Sequence, residues 1–461
     1  MIYFVTFVLI YGLRVLLKLS IWTCLAIGVF AFWMIPKYRT RYRKMKEYQQ
    51  RFFDVSMYLD TILYSFMKEE KVELAVRDVH QALPEGKMKM VVGMAHDYMI
   101  MAYEEVEFLG ESLAMIDQEY PCKRMRDVHK FMTHVEYYGG EIEKPIRLLL
   151  ADKSRWEKRI KEEIASRNKQ FVDVLLSVVA SLVICSAILY LPIMDMDISA
   201  EPLLQVLAFV LIVLDAGILY RAQGYVTVDW IGLQLQENEN IYEKKLQEYQ
   251  DYDEQKQRKL SYILATIGVS VTGIAFCVGN PWMTMMCLLV TLLFVNQHKV
   301  GKYLLEKNLR RELMYAFPNW LLDLVLLLQS ENVQMALQKS KEFVPGVLRK
   351  ELYQLTDQLE LEPESAKPYH EFLKDFYIPE VHSAMGILYS IAIGNSGNAD
   401  KQISELVDKN LELLDMTERQ MLKRQAGGMQ VLFLLPVLVA SFKLIADMMV
   451  LMLQFMQSSF M

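Results

Sequence analysis

Cysteine is scarce, with five in 461 residues, and no two of them stand as Cys-x-x-Cys. Cys24, Cys185, Cys277 and Cys287 lie in apolar runs and Cys122 in a charged segment. That excludes a disulfide framework and the ligand spacing of a zinc site, and leaves the thiols as small buried hydrophobes. Histidine is equally sparse, at seven. His370-Glu371 opens like a zinc-protease helix, but Lys374 occupies the second histidine position, and His129 and His134, five apart, do not share a helix face. Gly268-x4-Gly273 has phosphate-loop spacing, yet Ile274 follows where lysine is required. Gly268, Thr272, Ala275 and Gly279 instead form a small-residue stripe suited to close helix approach. No catalytic, cofactor or metal site is assigned, and the chain reads as non-enzymatic. Period-two alternation of Val, Ile and Thr is rare, which argues against a sheet. A net charge of −6 excludes a general nucleic-acid binder.

What is present is segregated. Apolar residues make up 53% and charged residues 23%, and the two kinds alternate in blocks. Leu19–Pro36, Val174–Met194, Pro202–Leu214, Ser261–Asn280, Pro281–His298 and Ala426–Phe442 contain no Lys, Arg, Asp or Glu. The third run reaches spanning length by including Asp215 and continuing to Tyr220, and the sixth by continuing past Lys443. A helix of about 20 mainly apolar residues crosses a hydrocarbon core of about 30 Å, and in lipid only a helix satisfies its own backbone, so the expectation is six membrane-spanning helices.

Basic residues set the orientation. Lys37, Arg39, Arg41, Arg43, Lys44 and Lys46 crowd after the first run, Arg155, Lys158, Arg159, Lys161, Arg167 and Lys169 precede the second, and Lys299, Lys302, Lys307, Arg310 and Arg311 follow the fifth. Asp195–Glu201, Gly279–Trp282 and Gln457–Met461 contain no Lys or Arg. All three charged segments are therefore expected in the cytosol, with both termini outside. The stretch Ile2–Leu17 has no basic n-region before it and no cleavage pattern, which argues against a signal peptide. It also shows no turn, so it is expected to lie along the outer interface beside a single first span.

The chain repeats itself. Val72-Glu-Leu-Ala75-Val, closed by Pro84, has its counterpart in Val333-Gln-Met-Ala336-Leu, closed by Pro345. Leu59-Asp60 matches Leu322-Asp323, and Pro121 matches Pro379. Gly140, Lys144, Ile146, Leu149 and Arg167 align without a gap on Gly397, Lys401, Ile403, Leu406 and Arg424. Ordered matches over roughly 110 residues mark an internal duplication. Within each copy apolar residues recur every three or four positions, as in Phe52, Val55, Leu59, Ile62, Leu63 and Phe66. Short helices are expected over Val72–Leu83 and Val333–Val344, stopped by the prolines. Gly139-Gly140 and Gly394–Gly397 fit helix-ending turns at positive φ.

The resulting fold class is all-α: six transmembrane helices with two homologous cytosolic antiparallel helical bundles. The divisions are 1–36 (interface segment and first span), 37–170 (first bundle), 171–221 (spans two and three) and 222–260 (a charged helical spacer). They continue with 261–298 (spans four and five), 299–425 (second bundle) and 426–461 (sixth span and outer tail). Tyr242, Leu246 and Tyr249 form too short a stripe in the spacer for a coiled coil.

The Leu-Asp helix, the Val-x-x-Ala helix with proline nine residues on, and the Gly-x5-Ile turn before a charged helix entering the membrane resemble the F-type domain of type II secretion and type IV pilus platform proteins. The similarity is greatest to the B and C platform proteins of tight-adherence (Tad) pili, here as two subunits joined in one chain. Glu70 and Asn332 stand where the family often has glycine. The resemblance covers both bundles and their flanking spans. It implies a non-enzymatic platform in the cytoplasmic membrane, with no cofactor, whose bundles contact a hexameric secretion ATPase while its spans gather pilin or pseudopilin subunits. The lipid bilayer is a partner, nucleic acid is not, and self-association stays open.

The basic helix ends at Arg155, Lys158 and Arg159 and at Lys307, Arg310 and Arg311 are the candidate ATPase contacts, through two-pronged binding of carboxylates. Their plain alternative is a role as positive-inside anchors. Ala75, Pro84, Gly139, Gly140, Ala336, Pro345 and Gly397 are structural residues of the repeat. Asp215, placed near enough to the cytosol to reach the interface, and the four-apart pair Lys443 and Asp447 are charges at membrane depth, read either as packing ion pairs or as functional groups. A transporter built from a duplicated unit is the alternative function.

Overall fold

A computed structural model describes residues 2–101, 108–140, 142–190, 201–232, 254–277, 285, 287–288, 291–292, 297–328, 331–394 and 399–459. It is all-helical, and no strand occurs among the described residues. In order these are α1 (Ile2–Leu17), α2 (Ile21–Lys68), α3 (Val72–Ala82), α4 (Lys87–Met101), α5 (Phe108–Glu119), α6 (Lys123–Tyr138), α7 (Glu143–Ala187) and α8 (Pro202–Val226). They continue with α9 (Glu254–Cys277), α10 (Gln297–Leu327), α11 (Val333–Ser340), α12 (Gly346–Leu361), α13 (Lys367–Glu371), α14 (Pro379–Ala392) and α15 (Ala399–Ser459). The chain divides into two compact units: residues 1–137, 149–235 and 419–461 form one, and residues 138–148 with 236–418 form the other.

Four helices are long and apolar enough to cross a membrane: Ile21–Lys68, Glu143–Ala187, Pro202–Val226 and the Lys401–Leu453 stretch of α15. They match the first, second, third and sixth runs. The fourth run contributes the shorter apolar helix Ser261–Gly273. The fifth, like most of the spacer over 233–253, falls largely outside the described residues.

At the amino terminus the stretch from Ile2 does contain a turn. Lys18 takes a left-handed conformation (φ 47°), and Leu19 N–H reaches back to the Arg14 carbonyl at 3.1 Å, the six-to-one bond of a Schellman helix end. Ser20 then caps α2, its hydroxyl accepting from Thr23 N–H at 3.2 Å. Neither glycine nor proline marks this turn in the sequence. A distant residue holds it: Gln205 of α8 donates to the Lys18 carbonyl at 3.1 Å and accepts from Ser20 N–H at 2.9 Å. Ile10 and Leu13 then pack on the cluster containing Ile27, Ala208 and Ala440.

In the first unit α2 and α8 run parallel, paired from the cap Ser20 with Gln205, through Tyr38–Ala216 and Arg41–Tyr220, to Arg51 with Asp229 just beyond the end of α8. Helices α7 and α15 also run parallel, paired at Arg167–Leu422, Ser177–Phe433 and Cys185–Ala440. Helix α8 is antiparallel to α7, since Arg167 meets Tyr225 and Ser181 meets Asp215. Apolar layers stack along this block: Val174, Ile218, Ala222 and Met429, then Cys185, Ala208, Leu211 and Ala440, then Leu204 and Leu451. The outward faces carry exposed Val29, Phe32, Leu176, Val210, Leu434 and Met449, as lipid contact requires. Helix α2 continues beyond its apolar run to bury Phe52, Val55, Leu59, Ile62 and Phe66. Helix α3 packs there through Val72, Ala75, Val76 and Val79. Each of the valine, leucine, isoleucine and phenylalanine side chains contributes about 1.5–3 kcal/mol by burial.

In the second unit α10 buries Leu313, Phe317, Trp320, Leu321 and Leu324, and Trp320 stacks on Phe372 with centroids 5.9 Å apart. Asn332 caps α11, its Oδ1 accepting from Met335 N–H at 2.8 Å, a role that glycine has no side chain to fill. Helix α11 ends at Ser340, four residues before the expected Val344. The three-residue-closing bonds Lys341 to Gln338, Glu342 to Lys339 and Phe343 to Ser340 tighten its exit. Gly268 is pressed against Thr291, where an added Cβ would lie 2.7 Å from Oγ1, and Thr272 meets the same hydroxyl at 3.3 Å.

Candidate functional site

Three places concentrate charge. The first is the middle of α7. Apolar Trp156 and Ile160 turn inward, Trp156 edge-on to Phe52 at 5.0 Å, which fixes the other faces of the helix. Arg155 and Lys158 are exposed and close enough in sequence to present two cations to a partner. Arg159 is not exposed: it falls on the buried side with Ile160, at 3% accessibility, so it is no surface contact. Sequence spacing alone cannot tell which side of a charged helix is covered by another helix. Lys153 is also buried, bonding Asp60 of α2 and Glu157 one turn on. Burial alone would raise the Glu157 carboxyl, but hydrogen bonds from Lys153, Lys161 and Ser56 bring it down to about 2. Arg124 of α6 grips Asp152 with two bonds, 2.6 and 3.1 Å, in the same wall. In the second unit Lys307, Arg310 and Arg311 are all exposed on α10.

The second place is the foot of the long helices. Arg167, 1% exposed, bonds Glu163 at 2.7 Å, the Tyr225 carbonyl at 2.9 Å and the Leu422 carbonyl at 3.2 Å, and lies 5.1 Å from the Trp230 ring. One guanidinium thus ties α7 to the last turn of α8 and to α15, a use of the planar donor fork that lysine cannot copy. Beside it, Gly428 lets α15 approach α8: an added Cβ would lie 2.1 Å from the Tyr225 hydroxyl. The alignment of Arg167 with Arg424 was the sequence signal for the first; nothing in the sequence pointed to Tyr225.

The third place is inside the apolar block. Lys443 and Asp447 pair at 2.5 Å, at 5% and 0% exposure. Asp215 is 3% exposed and accepts from Ser181 Oγ at 2.8 Å, so it does not extend toward the interface as its position in the run allowed. Cys185, one turn beyond Ser181, lies within electrostatic reach of Asp215, Lys443 and Asp447 and points its thiol at the Ala440 carbonyl at 3.8 Å. Ser181 and Cys185 were legible only as small residues in a run.

Among the histidines, His129 proves to be buried between Tyr58 Oη at 2.8 Å and Asp117 at 3.1 Å, both on other helices. Burial, with the Asp117 charge beside it, raises the Tyr58 hydroxyl well above its ordinary value, so this tyrosine stays neutral and serves the packing. No group of three or more His, Cys, Asp or Glu that could hold a metal occurs among the described residues.

The repeat residues take these positions. Ala75 and Ala336 are fully buried on α3 and α11. Pro84 follows the end of α3, and Pro345 precedes the first turn of α12. Gly139 and Gly140 follow α6 at φ 73° and 140°, and Gly394 follows α14 at φ 73°, while Gly397 lies outside the described residues. No family model, curated protein or solved structure matches the chain.

Proposed function

We propose that the chain is a non-enzymatic platform protein of the cytoplasmic membrane, a duplicated F-type unit of the type II secretion and Tad-like pilus class. In this reading it has six spans and two cytosolic bundles, and it couples a hexameric ATPase to extraction of pilin or pseudopilin subunits. The observation that carries the reading is the continuity of α7 and α15. Each is one unbroken helix, of 45 and 61 residues, from charged segment into apolar run, so a displacement at the cytosolic end is delivered to the membrane end.

The packing supports the duplication. Residues in contact between α7 and α15 are 255 or 256 positions apart, against 257 for the aligned pair Gly140 and Gly397. The two copies of one helix therefore lie side by side in nearly equal register. The order of elements supports it too: long helix, Val-x-x-Ala helix, two further helices, a helix closed by glycine, then the long exit helix recurs from α2–α7 to α10–α15. Parallel α2 with α8, and parallel α7 with α15, agree with termini on one side and bundles on the other.

The test uses the whole protein in detergent with the cognate ATPase. Reversing Arg155 and Lys158, or Lys307, Arg310 and Arg311, to glutamate is expected to abolish salt-sensitive ATPase binding and filaments for at least one set, with membrane accumulation unchanged. Wild-type binding by both variants, or loss of the protein from the membrane without a specific binding defect, sinks the ATPase-contact reading. The transporter alternative draws on the buried charges of the apolar block, and a liposome flux assay separates it.

A further inference from the structure

Asp215 sits at the inner stripe of α8 between Leu211 and Ile218, both packed into apolar layers. Its Oδ2 accepts from Ser181, and its Oδ1 has no hydrogen-bond partner among the described residues. No described cation pairs with it, because Lys443 is engaged by Asp447 on its own helix. The charged and titratable groups on the surrounding elements are all committed or displaced along the block. They are Cys185 on α7, Lys443 and Asp447 on α15, and Cys24, Tyr38 and Arg41 on α2, Cys24 lying a layer away with Leu211. Tyr38 bonds the Ala216 carbonyl at 2.6 Å and Arg41 the Tyr220 carbonyl at 2.5 Å. Lys18, on the turn after α1, lies at the other end of α8, beside Gln205.

A bare carboxylate in such a place is very costly, and a group so placed neutralises instead. An acceptor for its proton is close in register. Contacts Ser177–Phe433 and Cys185–Ala440 bracket Ser181 against Pro436, which lies inside α15 on its buried stripe. Pro436 has no N–H, so the Leu432 carbonyl one turn earlier has no helical donor. Helix α8 thus brings a carboxyl oxygen without a hydrogen-bond partner among the described residues to the level of α15 at which Pro436 withholds a helical donor.

We propose that Asp215 is a proton-binding site within the membrane block, where one proton is held between its Oδ1 and the carbonyl freed by Pro436 while Ser181 donates to Oδ2. The donor set is too small to replace the hydration of an alkali ion. Binding and release there change the charge at the level where α7, α8 and α15 meet. The site goes beyond the platform reading and stands or falls without it.

The experiment takes the full chain in nanodiscs, as wild type, Asp215→Asn and Ser181→Ala. Infrared difference spectra on titration are expected to show a protonated carboxyl C=O band that is lost as pH rises, vanishes in Asp215→Asn and shifts in Ser181→Ala. Thermal midpoints should agree for wild type and Asp215→Asn at the pH where the band is complete, the amide being a neutral isostere, and the wild type should fall below the variant as pH rises and the proton leaves. Absence of the band, its persistence in Asp215→Asn, or a midpoint that responds to sodium at fixed pH in the wild type alone would overturn the proposal. If Asp215→Asn does not accumulate, the same spectra on wild type and Ser181→Ala decide it, since a band unmoved by the serine change belongs to another group.

Discussion

Removing one partner of the Lys443–Asp447 pair should damage the protein far more than removing both. The pair lies on one face of α15, Nζ to Oδ2 at 2.5 Å, with Asp447 fully buried and Lys443 nearly so. Lys443→Leu leaves the Asp447 carboxyl without its partner in an apolar layer, and Asp447→Leu does the same to the lysine. Losing one partner of a buried pair costs about 3–5 kcal/mol. The double change to leucine removes the unpaired charge and adds apolar contact beside Leu444, Val450 and Leu451, which already pack there. Replacing a buried pair by apolar residues is neutral or stabilising by about 1–4 kcal/mol, so most of the summed single losses should be recovered. The four proteins of the cycle would be compared by accumulation in membranes and by thermal unfolding in one detergent. Independent losses that add in the double variant would refute the pairing, and so would single variants as stable as wild type.

Two neighbouring glycines on α15 should respond in opposite ways. Gly428→Ala must displace the Tyr225 ring and is expected to cost about 1–3 kcal/mol, relieved by Tyr225→Ala, whereas Gly427→Ala meets open space and should be neutral or stabilising by up to about 1 kcal/mol in thermal unfolding. Glu157 should make stability acid-sensitive. Its carboxyl is held at about 2 in the folded chain against an ordinary 4.5, so its contribution is complete above the ordinary value and is lost as pH falls from there through about 2. The stability gap between wild type and Glu157→Gln should therefore close on acidification from pH 5, and a gap that stays constant or widens would contradict the assignment.

The helical class, the long apolar runs and their charged flanks were readable in the residues themselves. In lipid each backbone must pair within its own segment, so composition over about 20 residues decides the structure locally. The inward positions of the short helices were readable for a similar reason, since small residues such as Ala75 and Ala336 stand where one face must be buried, and both are buried. The Lys18 turn was not readable, because Gln205, remote in sequence, supplies the hydrogen bonds that a glycine or proline would otherwise announce. Nor was the division of the α7 cations into exposed Arg155 and Lys158 and buried Arg159. Charge and spacing are properties of one helix, whereas which face is covered depends on its neighbours. The same holds within the apolar block. The sequence by itself placed Asp215, Lys443 and Asp447 within or beside long apolar runs and put the last two on one helical face. Only the tertiary structure decided that Asp215 meets Ser181 and not a cation, because that depends on the antiparallel register of α7 and α8, set by side chains far apart in the chain.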